Sequence, residues 1–334
     1  MKIKFGIIGC GNIGKRHAKH IFEHEEGVLV GVYDIVLERS KVISDQYNCF
    51  CFSSFEDLLN SDVDIINICT PNGLHSEHSI QSLNSAKHVL VEKPMALKSV
   101  DCENMIHAAL KMNKQLFVVK QNRYNPPVVA LKKLIKDNKL GKVYFVAINC
   151  FWNRNEDYYK SSDWKGTKTL DGGTLFTQFS HFVDILYYLF GDITDIQGKT
   201  INANHKKLID FEDTGAFTFK FTNEGLGSFN YTTSSFNKNM EGSILVFSEN
   251  GTIKIGGQYL NSIDYDCSNW EALDITEESN NPNDYGTYQG SMSNHDKVID
   301  NVINTLNGRS VIMTNAMDGM KVVDIVERVY SAIN

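Results

Sequence analysis

The sequence predicts an α/β protein with two domains. A doubly wound parallel sheet comes first, followed by an α/β domain built on a large open, mostly antiparallel sheet. Three observations predict this. Short apolar runs alternate with helical segments as far as residue 120, the rhythm of a parallel sheet covered by helices on both faces. Beyond that point apolar and polar residues alternate, as in Ala216-Phe217-Thr218-Phe219-Lys220-Phe221, which marks strands with one buried face. The length, 334 residues, exceeds one ordinary domain and suits two.

The bulk properties narrow the function. The chain is 42% hydrophobic and 22% charged, an ordinary globular composition. Its net charge of −7 argues against a dedicated nucleic-acid binder. No apolar run approaches the roughly 20 residues of a membrane span, and the apolar start runs into a glycine motif before it can form a signal-peptide core. The seven cysteines are odd in number and scattered, with Cys49-x-Cys51 lacking a second pair. They read as reduced thiols in a cytoplasmic protein, with no zinc site. His17 with His20, and His75 with His78, stand at helical spacing without partner ligands, so no metal is expected.

Taken in order, Lys4-Phe5-Gly6-Ile7-Ile8 is a buried strand that runs into Gly9-Cys10-Gly11-Asn12-Ile13-Gly14 and then a helix to about residue 23. This is G-x-G-x-x-G between strand and helix, the dinucleotide fingerprint of a Rossmann domain. Gly9 allows the tight turn, Gly11 lets a pyrophosphate approach and Gly14 lets helix and strand pack. The helix N-terminus, with Asn12 and Ile13, faces the phosphates. A second strand ends in Asp34, twenty residues after Gly14, where an acid accepts from the ribose 2′-OH and favours NAD over NADP. The alternative for Asp34 is a cap for a helix over 36–47. A helix over 55–60, a strand over 64–69, the loop Thr70-Pro71-Asn72 and a helix over 75–85 follow. His75 starts that helix and is placed to touch the cofactor. The next strand, Lys87 to Val91, ends in Glu92-Lys93-Pro94; a helix over 99–112 and a strand over 116–120 complete the domain. Ligands of such sheets sit beyond the carboxyl ends of the strands, where Lys93 falls.

After Lys120 the pattern changes. Gln121-Asn122-Arg123-Tyr124-Asn125-Pro126-Pro127 is a polar loop, and residues 128–139 form an amphipathic helix. Strands are predicted over 143–151, 193–201, 216–221, 227–233, 243–248 and 252–255, with a hairpin loop at Thr222-Asn223-Glu224-Gly225. The exposed face of such a sheet suits a subunit interface. Between the first two strands, Gly172-Gly173 closes a loop before an apolar helix through Ile185, Leu186, Leu189 and Phe190. His181 lies in that helix, where the residues alone read it as a core histidine. Helices over 294–306 and 314–333 end the chain, the last predicted to pack back on the first domain. The predicted division is therefore 1–120, plus that last helix, for cofactor binding, and 121–313 for substrate binding and oligomerisation.

Gly9-x-Gly11-x-x-Gly14, Thr70-Pro71-Asn72 with His75, Glu92-Lys93-Pro94, Leu140-Gly141-Lys142-Val143, and Gly172-Gly173 before His181 and Asp184 together resemble the Gfo/Idh/MocA family. Its members are sugar, inositol and nucleotide-sugar dehydrogenases, and the resemblance covers essentially the whole chain. It implies NAD as cofactor, dimers or tetramers formed through the second sheet, and Lys93 and His181 as catalytic residues. It implies that Glu92 and Pro94, around a cis Lys93–Pro94 bond, shape the loop beneath the nicotinamide, with Gln121 near the cofactor. One departure stands out: many members have an aspartate four residues before the histidine, and this chain has Thr177. Gln178 is then placed to orient a substrate hydroxyl. Members that oxidise C3 of UDP-linked N-acetyl sugars or their uronates also lack that acid. Asp157-Tyr158-Tyr159-Lys160 followed by Trp164-Lys165-Gly166 is similar to their loop. Asn122, Arg123 and Lys165 are the expected donors to such a sugar nucleotide.

The chemistry would be oxidation of a secondary alcohol. A histidine starts near working pH and suits the base. A lysine either polarises the hydroxyl as an ammonium or, shifted down by burial, acts as the base itself. Both assignments of His181 and Lys93 stay open. The rival functions are a free-sugar or inositol dehydrogenase and a non-catalytic NAD-binding regulator.

Overall fold

Ile3–Ile8 (β1) is buried along nearly its whole length, because it is flanked by strands on both sides and helices above and below. The computed structural model describes residues 1–267, 281–284, 286 and 288–333, and the chain divides into two units. After β1 the first unit continues with α1 (Asn12–Glu23), β2 (Gly27–Tyr33), α2 (Leu37–Tyr47), β3 (Phe50–Cys51), α3 (Phe55–Asn60) and β4 (Ile65–Ile68). Then come α4 (His75–Asn84), β5 (His88–Val91), α5 (Ser99–Lys111) and β6 (Leu116–Val118). The six strands run parallel in the order β3-β2-β1-β4-β5-β6. The order reverses between β1 and β4, so their carboxyl ends open a crevice for a ligand. Phe5, Ile7, Ile65, Ile66, Val89, Leu90, Phe117 and Val118 have no exposed surface, each contributing roughly 1.5–3 kcal/mol by leaving water. The sequence pattern missed β3, a two-residue edge strand whose Phe50 is mostly exposed.

The second unit contains α6 (Pro126–Lys136), β7 (Val143–Phe151), α7 (Glu156–Lys160) and α8 (Ser180–Phe190). Its strands are β8 (Ile193–Ile201), β9 (Thr214–Phe221), β10 (Leu226–Thr232), β11 (Glu241–Ser248), β12 (Gly251–Gly256) and β13 (Ser262–Cys267), followed by a small pair, β14 (Pro282–Asp284) and β15 (Gln289–Met292). Seven strands form one sheet in the order β13-β12-β11-β7-β10-β9-β8. All neighbours are antiparallel except β10 and β7, which run parallel. Phe217, Phe219, Phe229 and Tyr231 line the inner face, and Phe179, Phe182 and Trp152 form a ring cluster that joins them through Tyr231. On the outer face Leu226, Phe145 and Phe247 lie side by side across three strands, with Leu226 and Phe247 exposed. The strands β13, β14 and β15 carry too many polar residues to show a buried face in the sequence. Directly before α8, Leu175–Phe179 winds as a π-helix, a local widening that the apolar stripe does not reveal.

Two helices end the chain, α9 (His295–Leu306) and α10 (Ala316–Ile333). The sequence division put α9 in the second domain, but it belongs to the first unit. It lies along α1, with the His295 ring edge-on to His17 and Asp300 against His24, while Arg309 beyond it pairs with Glu26. The last helix was predicted to pack back on the first domain. Its first part, to Val323, belongs to that unit, where Gly319 lies against Val118 and Met95. Its end belongs to the second unit, where Arg328 reaches Asp192 and Tyr330 reaches Glu212.

Candidate active site

In the first unit the glycine loop has the shape that the motif requires. Gly9 has φ +91°, and a Cβ there would meet the Cys69 carbonyl at 2.5 Å. A Cβ on Gly14 would lie 2.0 Å from the Gly9 carbonyl oxygen, whereas one on Gly11 would meet nothing within 4 Å. The crowding forces loop and helix together, and the open space at Gly11 fits an approaching diphosphate. Asp34 is not the cap of α2. Its carboxylate accepts from the Cys10 amide at 2.7 Å and the Val36 amide at 2.8 Å. Those bonds leave lone pairs free for a ribose hydroxyl, so the residues fit an NAD adenosine. The Arg39 guanidinium lies 4.0 Å away from the same carboxylate. At the loop's centre, burial and then the Asp34 charge push the Cys10 thiol far up, and burial does the same to Cys69.

The Lys93 loop is held from below. The Lys93–Pro94 bond is cis, as expected. The Glu92 carboxylate is buried; one oxygen faces the Lys93 amide at 3.1 Å, the other His17 Nε2 at 2.9 Å and His295 Nε2 at 3.5 Å. Burial alone would raise the Glu92 pKa, but bonds from the two imidazoles outweigh it and hold the carboxyl well below its usual range. His17, Glu92 and His295 together have the spacing of metal ligands. Asn67, however, donates to His17 Nδ1 at 2.9 Å, which puts the ring proton on Nε2, against Glu92. The lone pair a metal would need is thereby occupied, and the cluster reads as a buried carboxylate held by imidazole hydrogen bonds.

His75 does not offer its ring to a cofactor. Its Nδ1 faces the Pro94 carbonyl at 2.7 Å and its Nε2 the Thr70 carbonyl at 2.9 Å, and burial lowers its pKa. It instead fastens the Thr70-Pro71-Asn72 loop to the Lys93-Pro94 loop. Asn72 is buried within that loop, and Thr70 meets His78 at 3.1 Å.

In the second unit His181 occupies the first turn of α8, 5% exposed, with Ser291 Oγ 3.4 Å from its Nε2. Ser291 also accepts from Gln121 at 2.9 Å. Gln121 is thus bound up in packing beside His181, and Asn122 is buried beside it with its Oδ1 lacking a hydrogen-bond partner. Thr177 was expected to leave the site without an acid. It donates its hydroxyl to both the backbone carbonyl and the carboxylate of Asp171, so a buried carboxylate stands behind this helix after all. The Asp171 side chain also accepts from the Gly166 amide at 2.6 Å.

Two expected substrate donors have other work. Arg123 was predicted to bind a sugar nucleotide. Its guanidinium instead forks onto Asp184 at 2.9 and 2.6 Å, stacks over Tyr188 and is almost wholly buried. Gln178 accepts from Arg154 Nε at 2.7 Å and donates to the Tyr158 hydroxyl at 2.6 Å, so each end already carries one protein partner. Lys165 bonds to Ser161 at 2.8 Å and lies 4.2 Å over the Tyr158 ring. Burial, then Asp171 pulling up and Arg154 pushing down, leave it at about 8.

Sequence reasoning missed Arg154, Asp171, Ser291 and Glu212. Glu212 accepts from Tyr330 at 2.6 Å and Tyr231 at 3.1 Å, while the Tyr330 oxygen takes the Leu175 amide at 3.0 Å. Gly173, at φ +139°, leaves the space that Tyr330 fills. Burial raises the Glu212 carboxyl to about 7, against those two hydroxyl bonds. Only Arg154 carried a sequence signal: a lone arginine inside Trp152-Asn153-Arg154-Asn155, at the exit of a strand.

Known proteins extend this picture. Residues 3–120 match the GFO/IDH/MocA oxidoreductase family with its NAD-binding Rossmann fold, and residues 128–254 match the GFO/IDH/MocA C-terminal domain. The WlbA dehydrogenase from Chromobacterium violaceum, solved with NADH and UDP-GlcNAcA, is 34% identical. It superposes with a TM-score of 0.91 over 99% of this chain and 93% of that one. The Bordetella pertussis WlbA dehydrogenase, also solved with NADH and UDP-GlcNAcA, is 32% identical at the same TM-score, covering 99% and 95%. Glucose-6-phosphate 3-dehydrogenase of Bacillus subtilis is 31% identical over 61% of this chain, and the match spans 59% of that relative's length. Among the described residues no helix is long and apolar enough to cross a membrane. The chain belongs to the Gfo/Idh/MocA family of NAD-dependent oxidoreductases.

Proposed function

We propose that the protein is an NAD-dependent dehydrogenase that oxidises a secondary hydroxyl of a sugar, at C3 of a UDP-linked N-acetylated hexose or its uronate. The observation that carries this reading is the likeness, over nearly the whole chain, to two dehydrogenases solved with NADH and UDP-GlcNAcA. The unusual Thr177 supports it, since the same position lacks an acid in members acting on such sugars.

When bound, NAD supplies the hydride acceptor. Gly9, Gly11, Asn12, Ile13 and Gly14 cradle its diphosphate, Asp34 takes the ribose hydroxyls, and the Thr70-Pro71-Asn72 loop, fastened by His75, borders it. Lys93 and His181 serve the reacting hydroxyl. His181 takes the proton, and the Lys93 ammonium positions the oxygen and stabilises developing negative charge. The converse assignment is the second outcome of the test below. Glu92, kept ionised by its histidine partners, holds the Lys93 amide and so fixes the base of that side chain. The outer face of the second sheet, with the Leu226, Phe145 and Phe247 row, is the proposed contact between copies in a cytoplasmic homodimer or homotetramer.

The test is NAD reduction with UDP-GlcNAcA, UDP-GlcNAc, glucose 6-phosphate and myo-inositol. Turnover confined to the last two would replace the UDP-sugar reading, and turnover of none would favour an NAD-binding regulator. Lys93→Met and His181→Asn proteins that still bind NAD should lose turnover. The pH profile of whichever retains a trace identifies the base. Wild-type rates in either variant would remove that residue from the mechanism.

A further inference from the structure

The second unit buries a positive charge, Arg154, that has no carboxylate within ion-pair distance among the described residues. Arg154 is 2% exposed. Its Nε donates to Gln178, and its Nη1 donates to the Asn153 carbonyl at 2.6 Å and to Asn239 Oδ1 at 3.4 Å. Every one of these acceptors is neutral. Its Cζ lies 5.0–5.2 Å from the ring centroids of Trp152, Tyr158 and Tyr288. A second cation shares the cage: Lys165 Nζ stands 4.2 Å from the Tyr158 ring and 5.4 Å from the Tyr288 ring. Among the described residues, Asp171 is an acid whose charge acts on Lys165, and its oxygens already serve Gly166 and Thr177.

This arrangement is costly as it stands. A buried ion without a counter-ion loses its hydration, and aromatic faces return only part of it. A guanidinium fork is also the side chain best matched to a carboxylate. The location carries the rest of the argument. Arg154 is tied to Gln178, which lies three residues before His181 in the turn where the π-helix passes into α8. We propose that Arg154 and Lys165 form a carboxylate seat, so that the substrate is a hexuronate and these two residues select it over the neutral sugar. This rests on the dehydrogenase reading above and adds the acidic group and its receptors to it. Asn239 and Gln178 are positioning residues here, holding the guanidinium plane.

The test measures binding as well as turnover, so that the two readings fail separately. The dissociation constants of UDP-GlcNAcA and UDP-GlcNAc are taken for the NADH-loaded wild type, Arg154→Met and Lys165→Met proteins. Wild type should hold the uronate more tightly, and Arg154→Met should shrink that preference ratio by about 100-fold, the worth of one charge-assisted contact. Lys165→Met, a less buried change should Arg154→Met fail to fold, should lower the ratio by roughly tenfold. Arg154→Lys should recover part of the ratio. A preference in binding without any turnover would keep the seat and overturn the dehydrogenase reading. Equal loss for both ligands would assign the cations to the shared diphosphate and overturn the seat, as would an unchanged ratio in both variants.

Discussion

Thr177 donates its hydroxyl to the carboxylate of Asp171, six residues earlier, inside the turn that leads to His181. Position 177 therefore carries no acid yet remains in contact with one. Thr177→Val takes a donor from a buried carboxylate and should cost about 1–3 kcal/mol in urea unfolding. Thr177→Asp would bury two carboxylates together. Its stability should fall further, and fall more steeply with rising pH than that of Thr177→Val, because two carboxylates sharing a site resist ionising together. Equal pH slopes for the two variants would mean that Asp171 is not the partner in solution.

Arg123 and Asp184 form the other buried pair of this helix. Arg123→Met should cost about 3–5 kcal/mol, because Asp184 is left charged and buried, and Arg123→Met with Asp184→Leu should recover most of it. Urea midpoints of the single and double variants give the comparison. A raised sugar KM with an unchanged midpoint in Arg123→Met would show instead that the arginine meets substrate.

Glu212 makes stability depend on pH. Its carboxyl is raised from 4.5 to about 7 by burial, so the folded protein holds a proton there that the unfolded chain releases. The contribution is fully present below pH 4.5 and is lost as pH rises through about 7, amounting to at most about 3 kcal/mol. Glu212→Gln should flatten the thermal midpoint over this window. An unchanged slope in that variant would remove Glu212 as its source.

Asp34 is the proposed discriminator between the two nicotinamide cofactors. Asp34→Ser removes the carboxylate that would repel a 2′-phosphate and leaves Arg39, now 4.0 Å from it, free to attract one. The ratio of kcat/KM for NADP over NAD should rise by roughly 10- to 100-fold. A ratio that stays put would show that the acid serves only the Cys10 and Val36 amides.

Much of this could be read from the sequence where geometry is local. The glycine loop, Asp34 and the Lys93 strand end declare themselves because a parallel strand buried on both faces is a continuous apolar run, with its functional residues just beyond it. Strands β7 and β8 were legible to the residue, and in β7 the buried positions alternate with less buried ones. What stayed hidden depends on folding back. Asp171 meets Thr177 only through the turns between them, and Ser291 reaches His181 from 110 residues away. Arg123 and Gln178 read as free donors because nothing in the sequence shows Asp184 or Arg154 beside them. The histidine of α9 was not singled out, since its partner Glu92 lies two hundred residues earlier.

The thiol at the centre of the glycine loop has a chemical consequence. A sulfur whose proton is held so firmly by burial and by Asp34 offers almost no thiolate to an electrophile. Cys69, behind it, is shielded in the same way. Peroxide and alkylating agents should therefore react slowly with both thiols.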